Sequence, residues 1–286
     1  MLPKTIESVI NQSFSDWELI IVDDGSTDHT KELVASFIEK DARIKYIYQE
    51  NAERSAARNN GIENASGEYI CFLDSDDTYL PNNLKDWYDF LEKKSFPECF
   101  AYCDYQINTL QNIEIVRLEK KIVTTATSFY FQNPIIPARI CVHHELLKEN
   151  YFDIDAVICE DICLWMSLSA NYDSFYSSHI GAEYMIHENN SINPKNPSAL
   201  KMYKGLNLFF KKNPEIKNNI PKSDFNSYFS KIQTNIAKYY YRNNQKGKAI
   251  LQLIKAVFRS PIHEHTKYRL RLIVLTLFSN DPNLYE

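Results

Sequence analysis

Gly67-Glu68-Tyr69-Ile70-Cys71-Phe72-Leu73-Asp74-Ser75-Asp76-Asp77-Thr78-Tyr79-Leu80-Pro81 is the stretch that decides the fold. Tyr69 to Leu73 is an unbroken apolar run between Gly67 and an acidic cluster, which is how a strand covered on both faces of a parallel sheet reads. The acids then stand at the strand's carboxyl end, where open α/β sheets keep their ligand crevice. Three carboxylates this close repel one another unless a hard cation or bound protons offset their charge. A divalent cation is the expected occupant.

Upstream, Leu19-Ile20-Ile21-Val22 is a second short buried run. It ends in Asp23-Asp24-Gly25-Ser26-Thr27-Asp28, whose Ser, Thr and Asp can cap a helix carrying Leu33, Val34, Phe37 and Ile38. Ile44 to Tyr48 reads as the next strand, and Arg54 to Ala65 as a helix of small residues that returns the chain to Gly67. This βαβα alternation predicts a parallel sheet. Ahead of it, Leu2, Ile6, Val9, Ile10 and Phe14 recur at helical spacing, and Pro3 can start that helix. A crossover helix in a parallel sheet leaves from a strand that precedes it. Helix 2–14 is therefore either a sheet-edge cover or the second half of a βα unit whose strand is absent from this chain, and the second is the expectation.

Downstream, Pro81 to Lys94 reads as a helix, Cys99 to Ile107 as a strand, and Glu114 to Val123 as an edge or hairpin. Asn133 to Pro137 interrupts regular structure, Val142 to Glu149 is helix-like, and Glu160-Asp161 opens a helix through Leu164, Trp165 and Leu168. Both acids sit in its first turn, where the helix dipole favours their charged form. Gly181 to His187 reads as the last strand. The polar run Asn189 to Pro197 predicts a seam between a domain of residues 1–195 and a helical region of residues 196–286. In that region Ala249, Ile250, Leu253, Ile254 and Val257 form one stripe and Leu270, Ile273, Val274 and Leu277 another, either to pack together or to lie on a membrane surface.

The 286 residues carry a formal charge of −5 that conceals an asymmetry. Residues 201–286 hold 16 Lys and Arg against 5 Asp and Glu, leaving 16 against 32 in residues 1–200. A basic tail fits an anionic membrane surface or a solvated helical face. Without interleaved aromatic and basic motifs, no nucleic-acid partner is expected. The opening Met-Leu-Pro-Lys lacks a signal-peptide pattern and no stretch reaches roughly 18 consecutive apolar residues, so a cytoplasmic protein, peripheral at most, is expected. Cys99 with Cys103 and Cys159 with Cys163 have a spacing that zinc sites use, but buried reduced thiols explain them more simply. A calcium loop from Asp74 would want Gly and Glu where Tyr79 and Lys85 stand. A dinucleotide fold would want a G-x-G-x-x-G turn that six glycines do not supply.

Ile21-Val22-Asp23-Asp24-Gly25-Ser26-Thr27-Asp28, Ala57-Arg58-Asn59, Gly67-Glu68-Tyr69-Ile70, Leu73-Asp74-Ser75-Asp76-Asp77 and Glu160-Asp161, in this order, resemble a family 2 glycosyltransferase of the GT-A type. The resemblance covers about residues 1 to 190; the tail is similar only to the variable helical appendages of such enzymes. It implies a Rossmann-like, mostly parallel sheet flanked by helices, with a helical C-terminal appendage. It also implies a nucleotide-diphospho-sugar donor, bound Mn²⁺ or Mg²⁺, and inverting transfer to a glycan or lipid-linked acceptor hydroxyl in surface polysaccharide or glycolipid synthesis.

Carried over by position, the resemblance gives Asp24 to the nucleotide base, Arg58 to the nucleotide or diphosphate and Asp74 to the ribose or sugar side. Asp76 would hold the metal, with Asp77 as the alternative, since the resemblance allows either of the last two aspartates to take the ion. Asp161 would be the general base, against its alternative as a helix cap. His187 stands where some members place a histidine near the metal or diphosphate, against a plain surface role. The family's usual first strand and nucleotide-holding loop are missing before Met1-Leu2-Pro3, which leaves a non-catalytic remnant as the alternative reading.

Overall fold

Helix α1 (Leu2–Ile10) has Pro3 in its first turn, where a missing N–H costs nothing. It turns Ile6 and Val9 inward, Ile6 onto Val34 and Ile44 and Val9 onto Tyr79 and Ala182. The structure, a computed structural model, describes residues 1–109, 111–117, 127, 130–131, 135–187, 190, 197–260 and 266–279. After α1 come β1 (Leu19–Asp24), α2 (Thr30–Ile38), β2 (Ile44–Gln49), α3 (Glu53–Glu63) and β3 (Tyr69–Cys71), the alternation read from the sequence. The chain continues as β4 (Thr78–Tyr79), α4 (Asn83–Glu92), β5 (Phe100–Asn108), β6 (Ile113–Val116), β7 (Ile140–His143), α5 (His144–Glu149), α6 (Glu160–Asn171) and β8 (Ser174–Met185).

The strands form two sheets. β1 and β2 pair in parallel, Leu19 opposite Ile44 through Asp24 opposite Gln49. The second sheet runs β3-β7-β5-β8-β4 with β6 on β5. Its β5/β8 pair is parallel and its other pairs are antiparallel, so the sheet is mixed. Among the described residues β1 and β3 are each paired along one edge only. The side chains of Leu19–Val22 and Tyr69–Cys71 are half-buried, whereas β7 is buried at all four positions. The expectations that Leu19–Val22 is a buried run and that Tyr69–Leu73 is covered on both faces are corrected accordingly, Phe72 alone in these two runs being buried.

β7 also corrects the helix expected from Val142. Ile140-Cys141-Val142-His143 lies between β3 and β5, and the helix starts only at His144. β-Branched Ile140 and Val142 suit that fully covered strand better than a helix. Four of the first strand residues of β5, Phe100 to Cys103, are likewise buried. The seam expected at 189–197 falls mostly outside the described residues, as does the second half of the Glu114–Val123 hairpin.

The C-terminal part consists of α7 (Ser198–Lys212), α8 (Pro214–Asn218), α9 (Lys222–Arg242), α10 (Lys246–Arg259) and α11 (Thr266–Phe278). Leu206, Phe209, Phe210, Phe229 and Ile232 join Trp165, Phe131 and Phe152 in one continuous core, so α7 to α9 pack directly on the helical side of the sheet. α10 and α11 sit further out on a small cluster of Ala237, Tyr241, Ala249, Leu253 and Leu272. Here the stripes read from the sequence divide. Ala249 and Leu253 are buried as expected, but Leu270, Val274 and Leu277 point to solvent while Arg269, Leu272 and Thr276 face inward. The inward arc is the one that meets α9, where Arg269 Nε donates to Thr234 Oγ1 at 3.1 Å.

Candidate active site

The acidic turn is fixed from behind by α1. Thr5 Oγ1 shares its hydrogen between the carbonyls of Asp77 at 2.8 Å and Ser75 at 3.0 Å. Ser8 Oγ accepts from Tyr79 N, and Gln12 bridges Leu80 O and Leu84 N. Backbone groups that a tight turn would leave unpaired are thus satisfied by Thr5 and Ser8 of α1 and by Gln12 just past its end. The turn itself closes with Asp77 N donating to Asp74 O.

Its three carboxylates point to different partners. Asp74 Oδ1 accepts from Arg58 Nη2 at 2.7 Å. Asp76 Oδ2 lies 2.9 Å from Nε2 of His187, which follows β8. Asp77 is 1% exposed and its Oδ1 accepts from Met185 N at 3.2 Å. Burial, then the neighbouring Asp74, push its carboxyl up to about 8, against the pull of the Met185 amide. Asp77 therefore ties the turn to β8, and Asp76 with His187 forms the accessible pair.

Arg58, on α3, joins the turn to the first turn of α6. Its Nη1 donates to Glu160 Oε1 at 2.9 Å and the guanidinium lies 5.2 Å from the Phe152 ring centroid. Burial works against its charge, but Asp74 and Glu160 outweigh it and hold it protonated. Arg54 approaches the same Glu160 oxygen at 3.7 Å, while Glu160 Oε2 is buried without a hydrogen-bond partner. α3 and the loop before α6 are further clasped by Asn59, which donates to Phe152 O and accepts from Phe152 N.

Asp161, beside Glu160, is half-buried. One oxygen accepts from Ile162 N at 2.7 Å, a local cap, and the other makes no hydrogen bond among the described residues. Burial first and Glu160 second raise its carboxyl to about 7, with Arg58 opposing. One carboxyl oxygen of Asp161 thus satisfies an amide in the first turn of α6, whose N-cap residue is Cys159. Ile158, two residues before Glu160, has φ 69°, a left-handed conformation that a β-branched residue adopts only under constraint from its surroundings.

Asp24 reaches this assembly through amides. Its Oδ1 accepts from Gln49 Nε2 and Ala52 N, and Gln49 Oε1 in turn accepts from Asn60 Nδ2, two residues along α3 from Arg58. Gly25 has φ 80°, and a Cβ there would stand 2.8 Å from Asn51 N, so this close approach of two loops requires glycine. The structure therefore gathers Asp74, Asp76, Asp77, Arg58, His187 and Asp161 and links Asp24 to them. Sequence reasoning missed Glu160 as Arg58's partner and Thr5 as the clasp of the turn. The only signal for Glu160 was its place next to Asp161.

Five carboxyl groups here, Asp74, Asp76, Asp77, Glu160 and Asp161, face Arg54, Arg58 and His187. Added positive charge would favour entry of an anionic ligand among them. Among the described residues no group of three His, Cys, Asp or Glu side chains is arranged around one point. Asp76 and His187 nonetheless fit a site completed by ligand oxygens, because Mg²⁺-type ions take one or two carboxylates plus substrate phosphates. All six cysteines are unpaired; five are buried, and Cys141 stands opposite Cys71 across β3 and β7. That burial fits the packed-thiol reading.

Residues 1–128 match the family model described as glycosyl transferase family 2. The chain is 35% identical over 176 residues to an uncharacterised glycosyltransferase of Rickettsia felis, an alignment covering 58% of this chain and 28% of that protein. It is 29% identical over 202 residues to the putative teichuronic acid biosynthesis glycosyltransferase TuaG of Bacillus subtilis, covering 69% of this chain and 78% of TuaG. The chain thus spans about a quarter of the length of the first curated relatives it matches. In fold it is similar to S. aureus TarS 1–349 in complex with UDP-GlcNAc, at a TM-score of 0.63 and 18% identity, over 99% of this chain and 85% of that one.

Proposed function

From the match of residues 1–128 to the glycosyl transferase family 2 model, we propose that the chain belongs to that family and transfers a sugar from a nucleotide-diphospho-sugar to an acceptor hydroxyl with inversion. The observation that carries the reading is the Asp74–Arg58–Glu160 bridge, which sets Asp161 beside the acidic turn. Its similarity in fold to a UDP-GlcNAc complex, and in sequence to a protein named for teichuronic acid biosynthesis, supports a nucleotide-sugar donor and a glycan or lipid-linked acceptor.

In this mechanism Asp24, pinned by Gln49 and Ala52, holds the base of the nucleotide. Asp74 orients the sugar side and Arg58 faces the diphosphate. Asp76 and His187 would hold Mn²⁺ or Mg²⁺, with Asp77 fixing the turn that carries them. When bound, the ion offsets the charge that builds on the departing nucleoside diphosphate. Asp161 takes the acceptor's proton as its oxygen forms the new bond to the anomeric carbon and the bond from that carbon to the diphosphate oxygen breaks. We place the chain on the cytoplasmic side of a membrane, as a peripheral protein; six unpaired thiols suit a reducing compartment.

The test is release of nucleoside diphosphate by purified protein with manganese and a panel of nucleotide sugars, alongside Asp76→Ala. Release that disappears in the variant supports transfer. Equal release by both, or none by either together with no donor-induced thermal shift, overturns it. A second reading is donor binding without turnover. A donor-induced thermal shift with no release would select it.

A further inference from the structure

Helix α11 is turned inside out. Arg269 is 1% exposed and Thr276 fully buried, whereas Leu270, Val274, Leu277 and Phe278 are 49%, 54%, 56% and 84% exposed. The inward arginine gains one hydrogen bond, to Thr234, and its Nη1 is left without a partner. Burying a guanidinium this poorly satisfied is unfavourable, and so is wetting four large apolar side chains. Rotating the helix by about half a turn would relieve both, so the packing makes sense only if the outer face is covered by something else.

The arrangement of that face says what. At about 100° per residue, Leu277, Leu270, Val274, Lys267, Phe278 and Arg271 fall within one arc of about 120°. α10 repeats the pattern: exposed Leu251, Ile254 and Phe258 share an arc of similar width with exposed Lys248 and Lys255, opposite buried Ala249, Leu253 and Ala256. Between Lys246 and Phe278 the sequence holds seven Lys and Arg against a single acid, Glu264. Apolar side chains interleaved with cations, and almost free of acids, complement a surface that is apolar beneath and anionic on top. Neither helix, nor any other among the described residues, is long and apolar enough to cross a membrane.

We infer that the outer faces of α10 and α11 dock on an anionic lipid surface. Leu251, Phe258, Leu270, Val274, Leu277 and Phe278 enter the boundary between headgroups and acyl chains. Lys248, Lys255, Lys267 and Arg271 meet the lipid phosphates. This deepens the peripheral placement proposed above but stands apart from sugar transfer, because its test contains no donor.

The full chain is sedimented with vesicles of phosphatidylcholine containing phosphatidylglycerol, with vesicles of phosphatidylcholine alone, and without vesicles. Binding to the anionic vesicles alone is expected, weakening as salt rises. Phe258→Ser with Phe278→Ser should lower the partition coefficient by roughly tenfold or more. Lys248→Glu with Lys255→Glu should lower it comparably, and both doubles, lying on exposed positions, should keep the helical circular dichroism of the parent. Absent binding, or binding that either double leaves unchanged, overturns the inference. So does a concentration-dependent dimer abolished by the phenylalanine double, which would make a second copy the occupant.

Discussion

Nη1 of Arg58 lies 2.9 Å from Oε1 of Glu160 across 102 residues of sequence, and both side chains are almost wholly shielded from solvent. This ion pair fixes the first turn of α6 against α3, and with it the distance from Asp161 to the acidic turn. A buried pair in which one member is deleted leaves its partner charged and unsatisfied. The proposed catalytic geometry and local stability therefore rest on the same contact.

Glu160→Gln should retain a weak hydrogen bond to Arg58 and lose the negative neighbour of Asp161. Glu160 is the second cause, after burial, of the raised Asp161 carboxyl, so its removal lowers that carboxyl below about 7. If Asp161 is the base, activity rises with pH as Asp161 loses its proton, and the acidic limb of kcat/KM shifts to lower pH in the variant. An unmoved limb would separate Glu160 from the base.

Asp161→Asn should lower kcat by about 10²–10⁴-fold while leaving donor binding intact. It also has a stability signature. A carboxyl raised in the folded state binds more protons than in the unfolded chain between its ordinary value of 3.8 and about 7, so it removes stability as pH rises through that window. Melting temperatures measured across that range should fall less with pH in the asparagine variant than in the parent.

Much of the first half of the fold was legible because its signals are local. Leu19–Val22, Ile44–Tyr48 and the acidic turn announce themselves by apolar runs ending in polar punctuation, and β1, β2 and β3 stand where those runs stand. β7 was not legible because four residues joined directly to α5 carry no period of their own. The Arg58–Glu160 pair was hidden by sequence distance. α11 was left open for a different reason: an amphipathic pattern says that a helix has two faces, and only its neighbours decide which one is covered.

Glu18 offers a stability prediction of the opposite pH sign. Its Oε1 accepts from Ser66 N, Ser66 Oγ and Gly67 N, and its Oε2 pairs with Lys45 at 2.6 Å. Burial opposes its charge, but Lys45 and Ser66 prevail and hold the carboxyl at about 2. The stability this confers is complete above the ordinary value of 4.5 and is lost as pH falls toward about 2. Glu18→Ala should therefore lower stability at neutral pH by about 1–3 kcal/mol, the worth of hydrogen bonds to a charged group. In urea titrations the gap to the parent should narrow on acidification.

Thr5→Val isolates the contribution of α1 to the acidic turn, because valine keeps the shape and removes only the hydroxyl. The carbonyls of Ser75 and Asp77 would then lose their shared donor in a place where Thr5 is 7% exposed and water has little access. A buried acceptor left unsatisfied costs about 1–3 kcal/mol. If the turn relaxes to find new partners, Asp76 moves relative to His187, and the ion they are proposed to hold binds more weakly. Manganese titration followed by thermal shift, at a pH where both proteins are folded, should show a lower parent-to-variant melting temperature and a weaker response to the ion in Thr5→Val. A variant that is destabilised but responds to manganese like the parent would confine Thr5 to holding the fold and leave the Asp76–His187 pair positioned without it.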